Sequence, residues 1–426
     1  MLKRTLALTL LLTSQALPAP AAPTAIGPVT IAWADATHKL IKITWTETTP
    51  TANTLALESD AEEIPEFQFG TTTAAQPNEY LVEATRFSHM VDPAGRSRFV
   101  VAGGGTQARS ADFDQYLYDE RDLRLAFAGD KLRWTLPADN SVDGTPGDPL
   151  DLPKAYTYTA VQRVDADPVG TYECRDLSFV SAVPTGELPN RGQAYDLTVK
   201  VANEWGQRAN LWATVGSTKN VTTYGPGSSP YGGTTTLTGH VNGTSMFQQG
   251  SPPVCEEFHG PTSNQAVVVQ QRTSLDAPWT VVGTTRTNDQ GNYTAVFRNP
   301  GHREYRVVRP NVVNGTAAAY GKEGYPVSVR ATTRVVSAKF IQPTVTLGTQ
   351  PQAYLWVDPA GPQKAALQFK NAAGAWQGVA YKTLYAGRGI LTFPWNKRGT
   401  TQFRWWVPAS PSADATYSGV FTLTVR

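Results

Sequence analysis

Nucleophilic catalysis needs a Ser or Cys, a histidine base and an orienting acid that meet in space. The chain offers five histidines: His38, His89, His240, His259 and His302. They are scattered along the chain, and none lies beside a G-x-S-x-G elbow. Gly103, Gly104 and Gly105 follow an apolar run and read as a turn between strands, not as a strand-to-helix phosphate cradle. Cys255-Glu256-Glu257-Phe258-His259 gathers metal-ligand types at close spacing. Zinc takes about four ligands in a tetrahedral array, and no second cluster is visible, so a polar loop is the plainer reading. Asp139, Asn140 and Asp143, or Asp165 and Asp167, could offer oxygens to calcium. Neither set follows the spaced D-x-D-x-D-G loop, and both read as solvated turns. Paired hydrolase carboxylates leave no spacing signature. Short-looped β units rarely build a deep cleft for them. The chain is read as non-catalytic, with no cofactor and no metal.

Two side-chain chemistries remain. Cys174 and Cys255 form an even pair, and even cysteines in an oxidising compartment tend to join. A bridge and two free thiols are both open. The second chemistry is aromatic. Five of the eleven tryptophans (Trp356, Trp376, Trp395, Trp405 and Trp406) sit near the C-terminus. An exposed indole can stack on a sugar ring or a partner protein. Adjacent Trp405 and Trp406 on a strand must point to opposite faces. Aligning Phe403 with Tyr305 and Trp405 with Val307 makes Trp405 inward and Trp406 outward, beside outward Arg404. Trp406, Arg404, Trp395 and Tyr354 are the candidate ligand platform. The alternative is that Trp406 packs on the sheet surface or under a loop. Trp376 matches Trp279 in a repeat, so a core position is expected for it.

Composition says where such residues work. Lys and Arg (37) nearly balance Asp and Glu (35), leaving +2. This argues against a protein that coats nucleic acid and against an acidic solvating tail. With 36 Gly, 31 Pro and only 3 Met, many short strands and turns are expected rather than helices. Residues 1–21 have the three parts of a secretory signal: Lys3 and Arg4, a mostly apolar Thr5–Leu17 run, and Ala19-Pro20-Ala21. Cleavage is expected near Ala21. No later stretch is long and apolar enough to span a bilayer. The expected product is secreted, with an extracellular protein or a polysaccharide as partner, and neither nucleic acid nor a membrane.

The positioning elements follow from internal repeats. Val269-Gln270, Trp279, Gly291 and Tyr305-Arg306 recur as Leu367-Gln368, Trp376, Gly389 and Phe403-Arg404. A weaker repeat relates Ile41–Thr46 to Leu132–Thr135 through Trp45-Thr46 and Trp134-Thr135. Ile41, Ile43 and Trp45 alternate with Lys42 and Thr44, as in a strand with one buried face. Asn288–Gly291 reads as a hairpin turn between Val281-Val282 and Tyr293–Phe297. Phe113, Tyr116 and Leu117 read as a last strand plus linker, with a short helix as the lesser option. The reading is all-β: four tandem immunoglobulin-like sandwiches at 22–117, 118–220, 221–330 and 331–426, in an elongated arrangement. Gly216-Ser-Thr-Lys219 and Gly225–Pro230 mark the clearest linker, near 216–232.

The first two units resemble fibronectin type III domains, through Trp45-Thr46, Trp134-Thr135 and the Tyr195–Gly206 run. The last two resemble bacterial immunoglobulin-like repeats of secreted actinobacterial proteins. The residues that carry this are Tyr231–Gly239, Val269-Gln270, Trp279, Gly291 and Tyr305-Arg306, and their counterparts in the fourth unit. The resemblance implies architecture and an extracytoplasmic setting, and no catalytic residue. In such sandwiches the loop after the second strand sits at the N-terminal pole. In the third unit it would run from about Asn242 to Asn264, hold Cys255 and face the second unit. Cys174 follows the Asp165–Gly170 turn, expected at the second unit's C-terminal pole. Both sulfurs could meet at this junction if their Cα atoms come within ~7 Å, and the bridge would lock the hinge.

Overall fold

The computed structural model describes residues 25–60, 66–88, 95–115, 122–166, 172–250 and 253–426. The expected signal peptide, His89, Tyr116, Leu117 and Asp167 lie outside them. Among the described residues the structure is β throughout, apart from one 3-10 turn at Ala84–Phe87. Alternation sets the cores: Ile41 and Ile43 in Leu40–Thr44, and Tyr195, Leu197, Val199 and Val201 in Tyr195–Asn203, are the buried alternate residues.

The first sandwich sets three strands (Thr30–Trp33, Leu40–Thr44, Glu79–Glu83) against four (Phe67–Thr72, Asn53–Ser59, Ser97–Gly103, Thr106–Arg109). Between them lie Ile41, Ile43, Trp45, Leu55, Phe69 and Phe99. The second sets Arg124–Ala128, Lys131–Thr135 and Thr185–Leu188 against Cys174–Ser181, Thr157–Asp165, Tyr195–Asn203 and Gly206–Tyr224. Trp134 and Tyr195 fill its core. Two further cores follow, one around Val269, Tyr293 and Tyr305, the other around Leu367, Phe403 and Trp405.

The junctions interlock. Trp205, in the turn after Tyr195–Asn203, packs in the first sandwich's core and lies parallel to Phe113 at 5.7 Å. Tyr320, far downstream, packs in the second sandwich's core against Phe127 at 5.1 Å. Asp414 of the last sandwich accepts the backbone N–H of Thr333 and pairs with Arg330. Its own N–H reaches the Ala331 carbonyl at 2.7 Å.

Three expectations are corrected. The linker expected at 216–232 is instead one unbroken strand, Gly206–Tyr224. Its first half pairs with Tyr195–Asn203 and its second half with Thr234–Gln249, so one sheet runs through both sandwiches. Thr214–Ser217 pairs on its other edge with Ala317–Tyr320. Backbone pairing on both sides outweighs the turn chemistry of Gly216-Ser-Thr-Lys219. Only Gly225–Gly227 breaks the run before Ser228–Pro230. The loop expected from about Asn242 to Asn264 is a hairpin of Thr234–Gln249 and Val254–Pro261, extending the same sheet. The Asn288–Gly291 turn forms, with the Gly291 N–H on the Asn288 carbonyl. Its flanking strands belong to different sheets, however: Thr280–Arg286 pairs with Ala266–Arg272, and Asn292–Arg298 with Thr234–Gln249. The turn is a crossover between layers, not a hairpin.

Candidate functional site

The candidate platform in the last sandwich does not form one surface. Trp395 is 8 % exposed and sits inside, 5.0 Å edge-on to both Phe369 and Phe403. Its ring completes the core, so it cannot present a face to a ligand. Tyr354 lies on Gln352–Asp358, where Ala353, Leu355 and Val357 are the inward residues. It therefore faces outward from one sheet, while Arg404 and Trp406 belong to the opposite sheet.

On that opposite sheet, Phe403, Trp405 and Val407 point inward and are fully buried. Trp406 is half-buried on the outer face, beside Arg404. Register places Trp406 next to Tyr417 on one side and Ala366 on the other, with Tyr381 beyond Ala366. Tyr417 and Tyr381 are exposed. The result is an outward aromatic row, Tyr417–Trp406–Ala366–Tyr381, across four neighbouring strands. With strands ~4.8 Å apart, the row is about 14 Å long.

Arg404 is held flat beside this row. Its guanidinium stacks on Trp376 at 4.3 Å and on Tyr417 at 3.9 Å, and Nε donates to Gln368 Oε1 at 2.9 Å. The third sandwich repeats the device. Arg306 stacks on Trp279 at 4.6 Å and donates to Gln270 Oε1 at 2.7 Å. Arg272 also lies over Trp279, at 4.5 Å. This corrects the core position expected of Trp376, the repeat match of Trp279. Both are half-buried outer-face rings beneath an arginine, whose charge favours the negative face of the indole. The signal was available in the sequence: Gln270 recurs as Gln368 and Arg306 as Arg404, and matched polar residues belong on an outer face.

The cysteines meet. Cys174 and Cys255 form a disulfide with Cα atoms 4.9 Å apart. Cys174 opens the strand Cys174–Ser181, and the Cys255 N–H donates to the Tyr172 carbonyl at 2.8 Å. Around the bridge, the Ala194 N–H donates to Glu257 at 2.9 Å, and Gln248 joins Asp196. Burial raises the Asp196 carboxyl above its ordinary range against that hydrogen bond. The hairpin is thus fastened to the second sandwich by covalent, backbone and side-chain contacts. Glu256 is exposed, and His259 meets the Thr244 hydroxyl at 3.2 Å. Among the described residues no group of three or more His, Cys, Asp or Glu could hold a metal ion.

Asp139 and Asp148 lie in the loop that joins Lys131–Thr135 to Thr157–Asp165 of the second sandwich and packs on the first sandwich through Leu150. Asp139 accepts Tyr156 and Ser141, which hold its carboxyl below the ordinary range despite burial. Asp148 accepts the Leu150 and Asp114 N–H groups, yet burial pushes it up to about 6, helped by nearby Asp151. Next to this junction lies a cavity of about 640 Å³ that the sequence did not reveal, lined by Asp35, His38, Glu83, Asn203 and Glu204. Beside it Trp33 meets the His38 ring edge-on at 5.5 Å and the Trp205 ring at 5.4 Å. His240 lies in a strand, beside the Gly291 turn, and His302 stands 3.9 Å from Asp414. Among the described residues, no histidine combines with a nucleophile and an acid as a triad.

No family model and no curated protein matches the chain. Solved structures with similar sheets include the FN1–FN3 domains of chicken CNTN1, at 12% identity over 72% of this chain and 99% of that one, with a TM-score of 0.23. The D0–D1 domain of intimin is similar at 12% identity over 49% of this chain and 99% of that one, with a TM-score of 0.18. The assignment of an all-β chain of packed sheets rests on the strands, registers and cores described above.

Proposed function

We propose that this chain is a secreted, non-catalytic scaffold that carries extracellular interaction surfaces on four β-sandwich units, bounded near residues 117, 220 and 330. The observation that carries the reading is the unbroken strand Gly206–Tyr224, with the disulfide beside it. A chain built to bend would interrupt its sheet at the boundary, whereas this one reinforces it. Trp205 and Tyr320, each seated in a neighbour's core, support the same stiffness. A disulfide suits an oxidising compartment, and the Lys3–Ala21 pattern suits export. The partner is then an extracellular protein.

A second reading, a carbohydrate- or cell-wall-binding protein, is favoured by the outward Tyr417–Trp406–Tyr381 row. Rings presented on a flat sheet suit stacking against sugar rings. One experiment separates the two: a pull-down of the secreted protein on chitin, cellulose and bacterial cell wall, alongside Trp406→Ala. Retention that Trp406→Ala abolishes selects the polysaccharide. No retention by either protein removes that reading and leaves the protein scaffold. Retention unchanged in Trp406→Ala removes Trp406 as platform.

A further inference from the structure

Arg309 ends the strand Arg303–Arg309 and is 5 % exposed. Several arginines of the chain meet carboxylates, as in Arg163–Asp176 and Arg272–Glu304. Arg309 does not. Its Nη1 donates to Thr218 Oγ1 at 2.7 Å and to the Tyr320 carbonyl at 3.5 Å. Its Nη2 reaches Gln265 Oε1 at 3.4 Å, and its Nε has no partner. All of these acceptors are neutral. Among the described residues no carboxylate acts on the guanidinium, and burial alone lowers its pKa from the usual range. Burying a cation without a counter-charge is unfavourable, so its retention calls for a reason.

The same side chain lines a cavity of about 210 Å³ between the second and third sandwiches. The space exists because Gly243 and Gly260 face each other across the hairpin ladder. A Cβ on Gly243 would come within 2.7 Å of Thr262 Cγ2. Thr262 Oγ1 is committed to the Val241 carbonyl, and Thr244 Oγ1 to His259. That leaves the Ser217 and Ser245 hydroxyls as donors on the wall, with Phe258, 64 % exposed, at the rim. At roughly 30 Å³ per water, the volume exceeds that of a few waters and admits an anionic group with its substituents.

We propose that this cavity is an oxyanion site, which takes a carboxylate, sulfate or phosphate group of a small ligand and supplies the counter-charge that Arg309 lacks. Ser217 and Ser245 donate to the anion's oxygens, and Phe258 covers its apolar remainder. The site is independent of the scaffold reading and of the aromatic row. Because it straddles the locked junction, an anion bound there also favours the assembled pair of sandwiches.

The test is isothermal titration of the full secreted chain with sodium sulfate, phosphate and acetate in chloride buffer of matched ionic strength, with thermal melts under the same conditions. Saturable binding of one equivalent is expected for at least one anion, with a rise in melting temperature that chloride does not give. Sulfate and phosphate without acetate would assign a tetrahedral group; acetate as well would assign a carboxylate. Ser245→Glu places a like charge at the cavity's exposed wall without touching a core, and should weaken binding by about tenfold or more. Arg309→Gln should abolish it; if that variant fails to fold, Ser245→Glu alone decides. No saturable binding of any of the three anions, or equal binding by Ser245→Glu, overturns the proposal.

Discussion

Trp205→Ala should destabilise a domain to which Trp205 does not belong in sequence. The indole is 1 % exposed and sits at the tip of a turn of the second sandwich, yet its neighbours are in the first. It lies parallel to Phe113 at 5.7 Å and tilted against Trp33 at 5.4 Å. Trp33 in turn donates its Nε1–H to the Leu150 carbonyl at 3.0 Å, so the cluster ties three segments together. Truncating a buried tryptophan to alanine costs about 3–5 kcal/mol. The upper half of that range applies here, because two ring pairs worth ~0.5–1.5 kcal/mol each go with it. The first sandwich has only about 5–15 kcal/mol in total, so the loss is a large share. Amide hydrogen exchange on the intact chain reads this out segment by segment. Protection in Leu40–Thr44 and Asn53–Ser59 should fall by a factor of roughly 10³, since each ~1.4 kcal/mol is tenfold. Phe421–Val425 in the last sandwich should not change. A loss confined to Tyr195–Asn203, or no loss at all, would refute the interlocked junction.

Other consequences are more local. Reducing the Cys174–Cys255 bridge, or Cys174→Ser with Cys255→Ser, opens an 81-residue span and should cost about 2–4 kcal/mol at the junction; a free thiol count of two in the untreated denatured protein would contradict the bridge itself. Asp148 has a folded pKa of about 6 against an ordinary 3.8, so the folded chain binds that proton more tightly than the unfolded one. Its stabilising contribution is complete below pH ~3.8 and is lost as pH rises through about 6. Asp148→Asn should flatten the stability slope across that window in denaturant titrations, and an unchanged slope would assign it to other groups.

The alternation of strands was legible in the residues because its period of two is local. The buried positions of Ile41, Ile43, Trp45 and Trp134 follow from it, as do the opposite faces of Trp405 and Trp406. What the residues did not reveal depends on partners distant in the chain. Gly216-Ser-Thr-Lys219 has linker composition, and becomes strand because Gly243-Thr244 and Ala317–Tyr320 pair with its two edges. Trp205 and Tyr320 look like ordinary turn and strand aromatics until the neighbouring core that receives them is known. Trp395 carries no mark that separates it from the outer-face tryptophans: it follows a proline, outside any strand whose parity could assign it. Trp376 was open to a better reading. Repeated Gln and Arg in its company signal a cation held over a ring, not a core.

Whether the second and third sandwiches form one continuous body is read from the amide exchange of Gly206–Tyr224. Slow exchange is predicted through Val215–Thr218, where Tyr195, Ala317–Tyr320 and Gly243-Thr244 supply backbone partners. Fast exchange throughout Gly216–Thr218, between protected residues on both sides, would mean a flexible linker and would contradict the rigid scaffold.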